Sequence, residues 1–137
     1  IAGHTFGVDY EPAESRSGLY GGNSNWRGPI WMPINALLVA SLRRFDAACR
    51  GTLLVQCPTG VGDPVGLGHV ADELTSRLIS LFLPADDGRR PALGSLPWQR
   101  DPLFFEYFDG DTGLGLGASH QTGWTSLVAS LALGWPR

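Results

Sequence analysis

Trp26-Arg27-Gly28-Pro29-Ile30-Trp31-Met32-Pro33-Ile34-Asn35-Ala36-Leu37-Leu38-Val39-Ala40-Ser41-Leu42-Arg43-Arg44-Phe45 is the stretch whose reading decides the fold. It opens as a Gly-Pro turn between two tryptophans and then becomes periodic. Pro33 suits the first turn of a helix, where its missing N–H is no loss. Behind it Ile34, Leu37, Leu38, Leu42 and Phe45 fall at i, i+3, i+4, i+8 and i+11, with Arg43, Arg44 and Asp46 off the stripe. The spacing predicts one amphipathic helix with that stripe buried and Gly51 as its C-cap.

Working outward, Leu67, Val70, Ala71, Leu74, Leu78, Leu81 and Phe82 predict a second helix from about Gly68 to Phe82, stopped by Pro84. Thr122 can cap a third, in which Trp124, Leu127, Val128 and Leu131 keep helical time until Gly134 and Pro136 end it. Between the helices, Thr52 to Cys57 has the content of a short strand, and Pro58 to Gly66 is a turn-rich loop. Ala85 to Pro102, carrying Trp98, lacks periodicity and reads as surface loop. Ahead of the tryptophans, residues 1–25 read as loop, with a short strand near Thr5 to Tyr10 and a tight exposed turn at Gly21-Gly22-Asn23-Ser24. The fold expected is all-α, a set of helices with long irregular loops and short strands, carrying its site on the loops.

The chain has 137 residues, 43% hydrophobic and 17% charged, the length and composition of one globular domain. It begins at Ile1 with neither an initiator methionine nor a signal-peptide pattern, so a piece of something longer is expected. A formal charge of −3 argues against a nucleic-acid partner, which would need clustered Arg or Lys. All ten basic residues are Arg, which removes a lysine nucleophile from consideration. No apolar run approaches the ~18 to 20 residues that span a bilayer, so no membrane partner and a cytoplasmic setting are expected. Cys49, Cys57, His4, His69 and His120 lack zinc-ligand spacing, so neither metal nor cofactor is expected and the cysteines read as partly buried thiols.

The chemistry concentrates in Phe104-Phe105-Glu106-Tyr107-Phe108-Asp109-Gly110-Asp111-Thr112-Gly113-Leu114-Gly115-Leu116-Gly117-Ala118-Ser119-His120-Gln121-Thr122-Gly123-Trp124. The run around Glu106 is too short for a helix and reads as extended. A lone carboxylate among aromatics needs a partner, a solvated cavity or a proton to move. Glu106 thus reads either as a general base or as a structural carboxylate bonded to backbone amides or an arginine. Trp26 and Trp31 read as a floor for the apolar face of a sugar ring, or as plain core. Arg27 offers a planar fork for hydroxyls or for an ion pair. Gln121 can both donate to and accept from hydroxyls, and His120 stands beside it. Two tempting motifs fail. Asp109-Gly110-Asp111-Thr112-Gly113 opens like a calcium loop but has Leu114 and His120 where glycine and glutamate belong. The glycines from Gly113 to Gly117 have the wrong spacing for a dinucleotide fingerprint.

Gly21-Gly22-Asn23-Ser24-Asn25-Trp26-Arg27-Gly28-Pro29-Ile30-Trp31 through Asn35, Phe105-Glu106-Tyr107-Phe108, and Gly117-Ala118-Ser119-His120-Gln121-Thr122-Gly123-Trp124 together resemble the C-terminal part of glycoside hydrolase family 63. The closer likeness is to bacterial glucosidases with a mannosylglycerate-hydrolase-like catalytic domain, over nearly the whole chain. The resemblance implies that residues 1–137 form the last third of a single (α/α)6 barrel. It also implies inverting hydrolysis of an α-glucosidic or α-mannosidic bond in an oligosaccharide or small glucoside. Glu106 matches the family's glutamate base, while its aspartate acid has no counterpart here and would come from the remainder of the parent chain. By itself this segment is then expected to be inactive. In the family the Trp26–Trp31 block borders the sugar subsite. The rival reading is a non-catalytic helical carbohydrate-binding or interaction module.

Overall fold

The computed structural model describes residues 3, 7–16, 18, 26–97 and 99–135. Four helical segments and two short hairpins follow one another: α1 (Met32–Ala48), β1 (Leu54–Gln56), β2 (Pro64–Gly66), α2 (Leu67–Ser80), a 3-10 turn (Pro91–Leu93), β3 (Tyr107–Phe108), β4 (Gly115–Leu116), α3 (Thr122–Thr125) and α4 (Leu127–Ala132). Helix makes up 36% of the described residues, so the architecture is a small mixed one and no closed barrel is seen among them.

The helix expected from the opening stretch forms, with Pro33 in its first turn. Its buried face is not the expected one. Met32, Ala36 and Val39 are buried, whereas Ile34, Leu37, Leu38 and Phe45 stand 51%, 63%, 45% and 56% exposed. Only Leu42 of the expected stripe packs against the core. The helix is apolar on two faces, and the face with the small Ala36 is the one that packs on α2, since a small side chain lets two helices approach closely. Counting large residues therefore selected the wrong face. The expected C-cap also shifts, to Cys49, with Gly51 two residues on at φ +68.

Helix α2 follows its expected stripe closely. Leu67, Ala71, Leu78 and Leu81 are buried, and Leu74 and Phe82 pack on the core. Salt bridges from Arg43 to Asp72 and from Arg77 to Glu73 decorate its outer side. Strand β1 pairs antiparallel with β2. The segment from 85 to 102 is not all surface. Ala92 and Leu93 are 2% and 1% exposed, and Gln99 ties the loop down by accepting from the Arg90 amide and donating to the Gly94 and Leu96 carbonyls.

The expected third helix is broken into α3 and α4 at Ser126. Thr122 is its first helical residue rather than its cap; Gln121 holds that place without a side-chain bond. Gly7 to Tyr10 forms no strand, and Thr5, Phe6, the turn at Gly21 to Ser24, and Trp98 lie outside the described residues.

One core joins α1, α2 and α4 through Met32, Val39, Ala71, Leu78, Val128 and Leu131, and Phe108 brings the second hairpin into it. Phe82 meets Phe108 edge-on at 5.5 Å. Burial of this kind contributes about 25 cal/mol per Å2 of apolar surface, so these contacts hold the scaffold that positions the site.

Candidate functional site

The site is built on a small sheet that the sequence hides in three separate places. Ile30 and Phe108 exchange backbone hydrogen bonds of 2.8 and 3.0 Å, and β3 pairs with β4. The Trp26–Trp31 block is thereby sewn to β3, which directly follows Glu106. On the far side the Glu106 amide donates to the Ala118 carbonyl at 2.8 Å, and the Gln121 amide to the Phe104 carbonyl at 2.8 Å. The Thr125 hydroxyl, fully buried, donates to the Phe105 carbonyl and anchors α3 to the same segment. An Asx turn closes the hairpin: Asp109 Oδ1 accepts from the Asp111 and Thr112 amides, both at 2.8 Å.

Rings stack across this sheet. Trp26 lies on Trp31 with centroids 4.2 Å apart and planes at 14°, and Trp31 lies on Tyr107 at 4.6 Å and 24°. Trp124 tilts against Trp31 at 6.0 Å. Trp31 and Tyr107 are 4% and 0% exposed, while Trp26 is 61% exposed. The stack is thus anchored in the core at one end and open at the other. Of the two tryptophans, Trp31 is core and Trp26 presents a ring face to solvent.

Glu106 is half-buried beside that stack. A Cβ added at Gly117 would lie 2.7 Å from Glu106 Oε2, 2.8 Å from Tyr107 Cε1 and 2.9 Å from Glu106 Cβ, so the carboxylate and the Tyr107 ring share the space over this glycine. Gly117 also has φ +69, a conformation that L side chains rarely adopt. Glu106 Oε2 accepts one backbone bond, from the Ala118 amide at 3.3 Å, and among the described residues no arginine pairs with it. One long hydrogen bond leaves most of a carboxylate's acceptor capacity open, which suits a group that binds water.

The other expected residues fall around this centre. Gln121 is half-buried at the start of α3, and exposed His120 pairs across the backbone with Phe104. Arg27 points into the protein. Its Nη2 donates to Glu11 Oε2 at 2.6 Å and to Ser15 Oγ at 3.0 Å, with the Arg27 and Glu11 side chains only 15% and 14% exposed. Of its two readings, the ion pair is the one the geometry places. Glu11 and Gly117 escaped the sequence reading. Glu11 lies 16 residues from Arg27 with no periodic relation to it, and Gly117 sits in a run where every glycine looks like a turn former.

Among the described residues no group of three His, Cys, Asp or Glu is arranged to hold a metal ion, and no helix is long and apolar enough to cross a membrane. Cys49 and Cys57 are free, half-buried thiols.

No family model matches the chain, and neither does any solved structure. Three fungal proteins do. An uncharacterized protein of Saccharomyces cerevisiae is 51% identical over 138 residues, covering 94% of this chain and 13% of its own length. A probable mannosyl-oligosaccharide glucosidase of Schizosaccharomyces pombe is 27% identical over 80% of this chain and 11% of its own. The mannosyl-oligosaccharide glucosidase of Saccharomyces cerevisiae is 29% identical over 77% of this chain and 10% of its own. The bacterial kinship expected from the motif has no support among these relatives. Spanning about an eighth of their length or less, the chain is distantly similar to mannosyl-oligosaccharide glucosidases of glycoside hydrolase family 63.

Proposed function

We propose that this chain is the part of an inverting α-glycosidase that carries the general base, Glu106. One observation supports the reading above the rest: a half-buried carboxylate with a single long amide bond lies beside a ring stack whose outer member is open to solvent. A pyranose presents an apolar C–H face to an indole and polar hydroxyls at its rim. Trp26 supplies the platform, Trp31 and Tyr107 hold it rigid, Arg27 shapes the turn beneath it, and Gln121 and His120 supply rim contacts. The distant likeness to two glucosidases adds the reaction class.

In the proposed reaction Glu106 takes a proton from water, the water oxygen bonds to the anomeric carbon, and the glycosidic C–O bond breaks from the opposite face. A second carboxyl, about 6.5 to 9.5 Å away in inverting glycosidases, protonates the departing oxygen. That acid belongs in this reading to another part of the same polypeptide, and the segment alone is inactive. The helices α1 to α4 would then be part of an (α/α)6 barrel, with the open apolar face of α1 turned to its other helices. The substrate is an α-linked glucoside or mannoside, as oligosaccharide or small glycoside.

The exposed Trp26 would equally serve a module that binds sugar without cleaving it. Glu106→Gln, made in the complete open reading frame that encodes this chain, separates the two. Turnover of α-linked glucose disaccharides is expected to fall about 10²- to 10⁴-fold with binding retained. Undiminished turnover, or no turnover in the parent, removes the mechanism.

A further inference from the structure

We infer that Glu11 is the positioning residue of the sugar platform, acting through Arg27 on Trp26; the inference rests on the glycosidase reading above. Residues 10–16 form a strap laid across the Trp26–Gly28 turn. The Glu11 carboxylate accepts from Arg27 Nη2 at 2.6 Å and from the Arg16 amide at 3.3 Å, and the Glu11 amide donates to the Arg27 carbonyl at 3.4 Å. Side chain and main chain of Glu11 therefore both grip Arg27. Both charged side chains are largely buried, where a charge-assisted bond is stronger than in water and a lost partner is costly.

The strap is fixed at its other contacts too. Gly110 donates its amide to the Pro12 carbonyl at 2.8 Å, and the Tyr10 hydroxyl donates to Asp111 Oδ1 at 2.8 Å. Gly28 leaves no room between strap and turn, for any side chain there would run into the Glu11 carbonyl. The residue next to this clamp is Trp26, whose inner face stacks on Trp31 and whose outer face is free. The ring is 61% exposed and Trp31 supports one of its faces, so its position depends on that stack and on the backbone beneath it. Glu11 touches no sugar in this arrangement and is a positioning residue, and the ligand it serves is the apolar face of a pyranose.

The test uses Glu11→Ala, with Glu11→Gln as a milder variant in case the first does not fold, plus Arg27→Gln and the double variant, all in the complete open reading frame. The substrate is a panel of α-linked glucose disaccharides. Loss of one aromatic contact is expected to raise KM about tenfold while kcat stays within about twofold. The double variant is expected to match the worse single variant, because both remove one clamp. Acrylamide quenching of tryptophan emission is expected to rise in Glu11→Ala and not in Glu11→Ala made on a Trp26→Ala background. Unchanged KM and unchanged quenching in a folded Glu11 variant overturn the inference, as does a fall in kcat as large as that of Glu106→Gln. If Glu106→Gln leaves turnover intact, the glycosidase reading fails while the quenching result still decides the clamp.

Discussion

Gly117→Ala puts the geometry of the site under the sharpest strain. At φ +69 a non-glycine residue gives up about 1 to 2 kcal/mol to the clash of Cβ with the backbone. The new Cβ would also stand 2.7 Å from Glu106 Oε2, 2.8 Å from Tyr107 Cε1 and 2.9 Å from Glu106 Cβ. The carboxylate oxygen can swing away, but Glu106 Cβ and the fully buried Tyr107 ring can move only with the strand, an overpacking cost of about 1 to 3 kcal/mol. The sum is about 2 to 5 kcal/mol of stability. Activity suffers separately, since a misplacement of about 1 Å at a reacting group can cost about 10²-fold. Urea unfolding of the variant measures the first effect and turnover in the complete open reading frame the second. Gly123→Ala is the control: apart from its chain neighbours and its own helix backbone nothing lies within 4 Å of its Cβ, and it should be neutral or stabilising by up to about 0.5 to 1 kcal/mol. A Gly117→Ala protein within about 0.5 kcal/mol of the parent and fully active would refute the placement of Glu106 over this glycine.

Other outcomes are equally specific. Thr125→Val keeps shape but strands the Phe105 carbonyl that the buried hydroxyl serves, and should cost about 1 to 3 kcal/mol in denaturant unfolding. The Tyr10 phenol is held above its ordinary value of 10.0, first by its hydrogen bond to Asp111, then by partial desolvation and the charges of Asp111 and Asp109. A raised pKa means the folded state keeps the proton longer than the unfolded chain. The stabilisation is therefore fully present below about pH 10 and is lost as pH rises through the folded value. Unfolding measured from pH 8 to 11 should show that loss, and Tyr10→Phe should flatten it.

How much of this was legible in the sequence depends on the range of the interaction. Helix α2 was readable because one face carries its apolar residues and the other carries Asp72, Arg77 and their kind. In α1 the same counting failed, since Ile34, Leu37, Leu38 and Phe45 form a second apolar face and nothing local says that Met32, Ala36 and Val39 face α2. The extended run at Phe104–Phe108 was legible. That Trp31 would lie buried between Trp26 and Tyr107 was not, because stacking joins residues 76 positions apart through the Ile30–Phe108 bridge. The Glu11–Arg27 pair was hidden for the same reason. Residue types suggest candidates, and only the fold shows which of them stand together.

The water-activating role proposed for Glu106 is tested most directly by chemical rescue. Glu106→Ala in the complete open reading frame should hydrolyse an α-glucoside slowly, and added azide, which needs no base, should restore bond cleavage and yield the β-glycosyl azide. Hydrolysis at the parent rate without azide, or a product azide of retained α configuration, would contradict the account.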